Sequence, residues 1–266
     1  MLKLLVRDPL ALGLAQAAVV SACALAVAAL ARRRRIRVGG EVAIALVRGL
    51  VQIGAVGSVL LLMLRGPPWV AALGLGAMIA AAAGTIARRA RGIPGAAAIA
   101  ARAILVGSGG TIALMALLGV IDTAVTSLVP IGSMLIASAM NAVAVALERF
   151  RSDVVGHRGH VETALALGAS PEASVEPYQR SAFQASLIPA IDNLKSLGIV
   201  WIPGLMTGMV LSGTPPLPAA VYQFVTIAMI FSSSALTCLV ATTLVRARAF
   251  SAAEQLLLRA EPAPRS

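Results

Sequence analysis

PLALGLAQAAVVSACALAVAALA, residues 9–31, carries no charged side chain, and RRRRIR at 32–37 follows it directly. Lys3 and Arg7 precede it, so the stretch reads either as a secretory leader or as a membrane-spanning helix. An export leader has an apolar region of only about 7–15 residues and ends in small residues at a cleavage site. This run is longer, and the arginines behind it are of the kind that hold one end of a span at a membrane face. It is therefore expected to stay in the protein as a transmembrane helix.

The rest of the chain repeats the pattern. Of 266 residues, 59% are hydrophobic and 12% charged, against about 25% charged in a soluble domain; mean hydropathy is +0.90. Runs long enough to cross a hydrocarbon layer of about 30 Å predict spans at roughly 9–31, 42–64, 68–87, 98–120, 127–147, 187–212 and 217–245. The expected fold is all-α: a polytopic membrane protein with about seven transmembrane helices, forming a single transmembrane domain over 1–266. Cys23 and Cys238 fall within apolar runs and read as packing residues. The tail EPAPRS is polar, Pro-rich and expected to fray.

The net charge of +11 is carried by arginines at the ends of spans. Arg32, Arg33, Arg34, Arg35 and Arg37 fill the first connection, Arg88, Arg89, Arg91 and Arg102 mark the third, Arg149, Arg151, Arg158 and Arg180 the fifth, and Arg246 and Arg248 close the last span. The alternate connections contribute only Arg65. By the positive-inside rule the Arg-rich set is cytoplasmic, so the N-terminus is expected outside and the C-terminus inside, in a cell (inner or plasma) membrane. With 3% aromatic residues there is no base-stacking platform, and nucleic acid is not an expected partner.

One connection is long enough to fold, the cytoplasmic loop at about 148–186, and it contains VETALALGAS at 161–170. A helix through Glu162 is expected to end at Gly168, which supplies a left-handed residue. Ser170 suits an N-cap, Pro171 the first helical position, and Glu172 the positive end of the next helix. The loop thus reads as two short helices joined by a tight turn. Ala164, Leu165 and Leu167 on the first, with Val175, Tyr178 and Phe183 on the second, form modest apolar faces. Those faces either pack on the protein's own spans or receive a partner, and periodicity leaves both open.

Several polar residues lie within the apolar segments, where each charge costs roughly 2.5–3.5 kcal/mol at mid-membrane. Asp192 and Lys195 are three apart and share a helix face, either as a mutually neutralising pair or as the inner mouth of a pathway in which Asp192 attracts a cation. Arg48 and Gln52 lie one turn apart in the second span, and a polar cluster with Asp192 is attractive. Pro203 removes a backbone donor from the sixth span, freeing the Ile199 carbonyl, while Gly204 and Gly208 make a GxxxG pair; close helix packing or a hinge follows. His157 and His160 have HxxH spacing without a third ligand, so no metal site is assigned. There is no catalytic constellation and no GxxxxGK[ST] phosphate loop, so the chain is expected to bind no cofactor itself.

Glu162, Ala164 and Gly168 resemble the EAA-type loop with which permeases of ATP-binding-cassette (ABC) transporters contact their ATPase. LGASPEAS, SLIPAIDNLKSLGIVWIPGLMTGMVLSG and VYQFV, together with VRGLVQIG and PIGSMLIASAM, are similar to the iron-export permease family of ABC transporters, the FetB-like proteins. The resemblance is most specific over 168–213; it departs in the fifth span, where a Gly and an Asn are expected at Ser133 and Ser138 and Asn141 follows three residues later. It implies that Glu162, Ala164, Gly168 and Pro171 couple to a separate ATPase subunit carrying ATP and Mg. It also implies a permease homodimer, a metal ion, iron, as exported cargo, and a pathway near Arg48, Gln52, Asn141, Asp192, Lys195, Tyr222 and Gln223. The alternatives are an organic solute such as a nucleotide sugar or lipid, or a secondary transporter needing no ATPase.

Overall fold

The computed structural model describes residues 9–34, 39–65, 67–251 and 253–258; Lys3, Arg7, Arg35, Arg37 and the EPAPRS tail lie outside them. The protein is all-helical. Its internal contacts divide it into two compact units, Met1–Arg65 and Gly66–Ser266.

The first unit is a helical pair, α1 (Pro9–Arg33) against α2 (Gly39–Arg65). Val20, Val27 and Leu30 on α1 and Ile44, Val47 and Val51 on α2 are exposed, as side chains facing lipid are, since hydrocarbon is as good a solvent for them as a protein core.

The second unit contains α3 (Pro68–Arg89), α4 (Ala96–Ile104), a π-helical turn at Leu105–Gly109, α5 (Gly110–Leu117), α6 (Val125–Gly156), α7 (Arg158–Ala166), α8 (Pro171–Ser196), α9 (Gly204–Leu211) and α10 (Pro216–Arg248). Its centre is α6, packed on α3, α8 and α10. The seams between these helices are built from alanine, with Ala100, Ala103, Ala139, Ala146 and Ala241 fully buried among Ile86, Ile104, Val143 and Leu147. Small side chains let helix backbones approach where burial of apolar surface supplies no driving force, so dispersion and polar contacts carry the packing.

Five helical stretches among the described residues are long and apolar enough to cross a membrane: Ala11–Ala31, Trp69–Arg89, Ala96–Leu117, Val125–Gly156 and Pro216–Arg248. A shorter apolar stretch, Val42–Gly57, lies within α2. The expected sixth span, 187–212, is not one helix: α8 stops at Ser196 and α9 begins at Gly204. Between them Gly198 takes φ +76 and its N–H donates to the Trp201 carbonyl at 3.1 Å. The cause is local, because GIVWIP pairs a glycine free to turn left-handed with a pre-proline residue, Ile202, that is disfavoured in helix. Pro203 therefore starts α9 as its N-cap, at φ −65 and ψ 145, and is not a kink inside a continuous helix.

The Ala96–Leu117 span crosses with a π turn at its middle. Gly107 lies against α10 so closely that a Cβ there would stand 2.6 Å from the Thr237 nitrogen. Hydroxyls stitch the place together: Ser108 to Ser233 at 2.9 Å, Thr111 to the Gly107 carbonyl at 2.7 Å, and Thr237 to the Ser233 carbonyl at 2.6 Å. Ser and Thr side chains satisfy backbone groups that an irregular turn in a membrane helix releases.

Candidate functional site

Two features stand out in the second unit: the helical element after α6, and a cavity between α6, α8, α9 and α10.

At 32 residues, α6 is about 48 Å long and exceeds a hydrocarbon core of about 30 Å. Its last turns leave the apolar segment and become a platform. Arg89 pairs with Glu148 at 3.0 Å, Arg149 with Asp153 at 3.0 Å, and Ser181 of α8 donates to Asp153 at 3.3 Å. Onto this platform α7 and α8 set Val161 and Val175, both buried in one core with Phe150 and Val154. The His157 ring stacks on Tyr178 with centroids 5.2 Å apart; Tyr178 and Phe183 are half-buried against the same core. His160 is exposed and lies beside the His157 ring with centroids 5.7 Å apart; among the described residues no group of three His, Cys, Asp or Glu is placed to hold a metal ion.

The turn between α7 and α8 follows the sequence closely. Gly168 sits at φ +88, its N–H donates to the Leu165 carbonyl and that of Ala169 to the Ala164 carbonyl, each at 3.0 Å. This pair of bonds is a Schellman motif, which closes a helix and needs a left-handed residue at that place. Ser170 Oγ then accepts from the Ala173 N–H at 3.3 Å, with Pro171 as the first residue of α8 and Glu172 in its first turn. The element is thus anchored on one side and free on the other. Val161 and Val175 are held in the core, Ala164 and Leu165 are half-buried, whereas Leu167 is 83% exposed and Glu162 points outward, paired with Arg158 at 2.7 Å. The second helix is not short: α8 continues from Pro171 into the apolar region without interruption.

Where α8 ends, a cavity of about 420 Å³ opens. Ser138 and Asn141 of α6, Asn193 of α8, and Gln223 and Thr226 of α10 supply its polar lining, while Pro203, Gly204 and Leu205 bring in the start of α9. A smaller space of about 170 Å³ adjoins it, sharing Ser138, Asn141, Ala190 and Asn193. Ser138 is tied to Ser234 at 3.1 Å. Gln223 is 4% exposed, and its Oε1 accepts from the Met206 N–H at 3.1 Å. That amide is the last of the three N–H groups, of Gly204, Leu205 and Met206, that this helix leaves without an intrahelical acceptor, since Pro203 has none and the Thr207 N–H pairs with the Pro203 carbonyl, so α10 caps α9. Among the described residues, neither space is lined by an ionisable side chain.

Among the sequence-derived pathway residues, Asn141 and Gln223 meet in this cavity together with Pro203 and Gly204. Tyr222, one residue from Gln223, turns instead to a cluster with Ile121, Ile131, Leu135 and Met229. Asp192 and Lys195 are exposed on α8, outside the cavity lining, and no ion pair joins them among the described residues. Arg48 and Gln52 are exposed on α2 in the first unit, along a groove of about 600 Å³ with Ala43, Ile44, Val47 and Val51. A Cβ placed on Gly204 or Gly208 would meet no atom within 4 Å, so this pair makes no close helix contact within the chain. Asn193 and Thr226 were not singled out from the sequence. The available signal was helical spacing: Asn193 falls on the face of Ser186 and Ala190, while the adjacent Asp192 drew attention by its charge.

Helices long and apolar enough to cross a membrane several times, with a helical element beyond one of them, define a multi-pass membrane protein. The chain belongs to the family described as Uncharacterised protein family (UPF0014), whose model matches residues 14–250. It is 32% identical over 241 residues to the UPF0014 membrane protein STAR2 of Oryza sativa subsp. japonica, covering 90% of this chain and 84% of that one. It is 30% identical over 217 residues to the UPF0014 membrane protein YjkA of Bacillus subtilis, covering 81% and 87%. Over 146 residues, 55% of this chain and 56% of the other, it is 29% identical to the probable iron export permease protein FetB of Escherichia coli. No solved structure matches.

Proposed function

We propose that the chain is the permease subunit of an ABC transporter, exporting iron or a related metal ion with ATP and Mg held and consumed by a separate subunit. It works as a homodimer, so that two ATPase copies can close on nucleotide, and its Arg-rich connections face the cytoplasm with the N-terminus outside. The observation that carries this reading is the α7–α8 element: a turn closed at Gly168, anchored through Val161 and Val175, that leaves Leu167 and the Arg158–Glu162 ion pair exposed. Exposed apolar side chains on an anchored element favour a partner surface. Because α8 is one helix from that element to Asn193 at the cavity wall, with Pro177 and Pro189 as the points where it can bend, a push on the element has a covalent route to the cavity. The iron cargo rests on the name of FetB alone.

A second reading of the cargo is favoured by one observation: the described residues that line the cavity include no carboxylate, thiol or imidazole, which suits a solute that brings its own charge compensation better than a bare metal ion. The two are separated by reconstituting the permease with its ATPase. Stimulation of ATP hydrolysis by free Fe²⁺ supports the first, whereas stimulation only by an organic solute or a complexed metal supports the second. Failure of the chain to associate with any ATPase removes the ABC reading altogether.

A further inference from the structure

We infer that a lipid with an anionic phosphate headgroup binds at the membrane face where α3 ends, α4 begins and α10 ends, its phosphate held by Arg91, Arg102 and Arg248. The inference goes beyond the proposed function and does not depend on it, because the ligand is a component of the bilayer and not a cargo.

The spans Trp69–Arg89, Ala96–Leu117 and Pro216–Arg248 reach the surface together here. The turn at 90–95 between α3 and α4 gathers arginine from other helices. Arg248, the last residue of α10, lies over Gly95: a Cβ on that glycine would collide with Arg248 Nη1 and stand 3.6 Å from its Cζ. From α6, Arg151 donates to the Arg91 carbonyl and ties the turn to the bundle. Carboxylates do not match this charge. Glu148 is taken by Arg89 at 3.0 Å. Among the described residues Glu254, which follows Arg248 in the chain, forms no ion pair, and neither do Arg91, Arg102 and Arg248. Like charges drawn to one corner repel each other, and an anion between them reverses the sign of that interaction.

Arg102 decides which anion this is. It stands inside the Ala96–Leu117 span on the same helix face as Leu105 and Val106, which are 60% and 50% exposed. That face is open in this unit and apolar beyond Arg102, as a lipid-facing surface is. A guanidinium on it is costly unless its long side chain brings the charge to the interface. Helix side chains lean toward the N-terminus of their own helix, which for α4 is the end marked by Gly95 and Arg248. A lipid phosphate lies at that level, within reach of planar guanidinium donors, while its acyl chains cover Leu105 and Val106. A soluble anion supplies only the first of these contacts.

The test uses the full chain in maltoside micelles with equal amounts of phosphatidylglycerol and phosphatidylcholine of the same acyl chains, the bound lipid and the subunit number being read by native mass spectrometry. Wild-type protein is expected to retain phosphatidylglycerol in preference. Arg102→Gln with Arg248→Gln is expected to lower that preference about tenfold or more, since each arginine near the headgroup contributes separately. Arg158→Gln with Arg180→Gln removes the same net charge on α7 and α8 and is expected to keep it. Helical content by circular dichroism checks that both double variants are folded.

No preference in the wild type, or an equal loss in the two double variants, overturns the site. Displacement of the lipid by inorganic phosphate at constant ionic strength overturns the lipid assignment, because the arginines would then read a soluble anion. A change in subunit number in Arg102→Gln with Arg248→Gln, with lipid content unchanged, also overturns it and marks the face as a protein contact.

Discussion

Replacing Gly168 with valine perturbs one dihedral and little else. A Cβ at this position meets no atom within 4 Å, so steric overlap contributes nothing and the whole effect comes from φ +88. A non-glycine residue held in the left-handed region costs about 1–3 kcal/mol, with β-branched side chains at the upper end. The chain has an escape, abandoning the two Schellman bonds from Gly168 and Ala169, each worth about 1 kcal/mol. The cheaper route sets the cost, so docking of an ATPase to the α7–α8 element is expected to weaken by about 1–2 kcal/mol, roughly five- to thirtyfold. Gly168→Asn is expected to lose far less, because asparagine visits the left-handed region readily. The assay is titration of the ATPase subunit onto the permease in nanodiscs, with helical content by circular dichroism as the control for insertion. Equal damage by Asn and Val, or wild-type affinity in Gly168→Val, would refute the conformational argument.

Single cysteines at Thr123 and Thr214, in a background lacking Cys23 and Cys238, are expected to label from outside intact cells, and one at Thr163 only after permeabilisation; the reverse pattern contradicts the orientation drawn from the arginines. Gly107→Ala forces a Cβ to within 2.6 Å of the Thr237 nitrogen, so a loss of about 1–3 kcal/mol in stability against denaturation is expected, and unchanged unfolding would show that the π turn relaxes freely. Because no ion pair joins Asp192 to Lys195 among the described residues, Asp192→Asn and Lys195→Gln are expected to affect efflux additively, with coupling below about 0.5 kcal/mol. Recovery of wild-type efflux in the double variant would establish a functional pairing.

Most of the bundle was legible in the sequence because a span must be apolar throughout, a signal that needs no tertiary knowledge. The stretches expected at 9–31, 42–64, 68–87, 98–120, 127–147 and 217–245 correspond to α1, α2, α3, α4 with α5, α6 and α10. The Gly168 turn was legible for a different reason: Gly, Ser and Pro each report a backbone state locally. What escaped was set by competition between local and hydropathic signals. The apolar character of SLGIVWIPG at 196–204 argues for a span, yet glycine and proline end the helix there. The cavity escaped because neutral side chains carry it. Asn193 and Thr226 are ordinary in a membrane helix, and only their convergence from α8 and α10 gives them meaning; Asn141 and Gln223 were legible through the family resemblance. Charge pointed instead to Asp192 and Lys195, which the helix turns away from that space.

The most direct measurement of the central claim is metal efflux from proteoliposomes containing this chain, with and without its ATPase subunit, at fixed ATP and Mg. Movement that requires both subunits and hydrolysable ATP, and that falls with the loss of docking in Gly168→Val, is the expected result. Movement by the chain alone, driven by an ion gradient and indifferent to Gly168→Val, would contradict it and identify a secondary transporter.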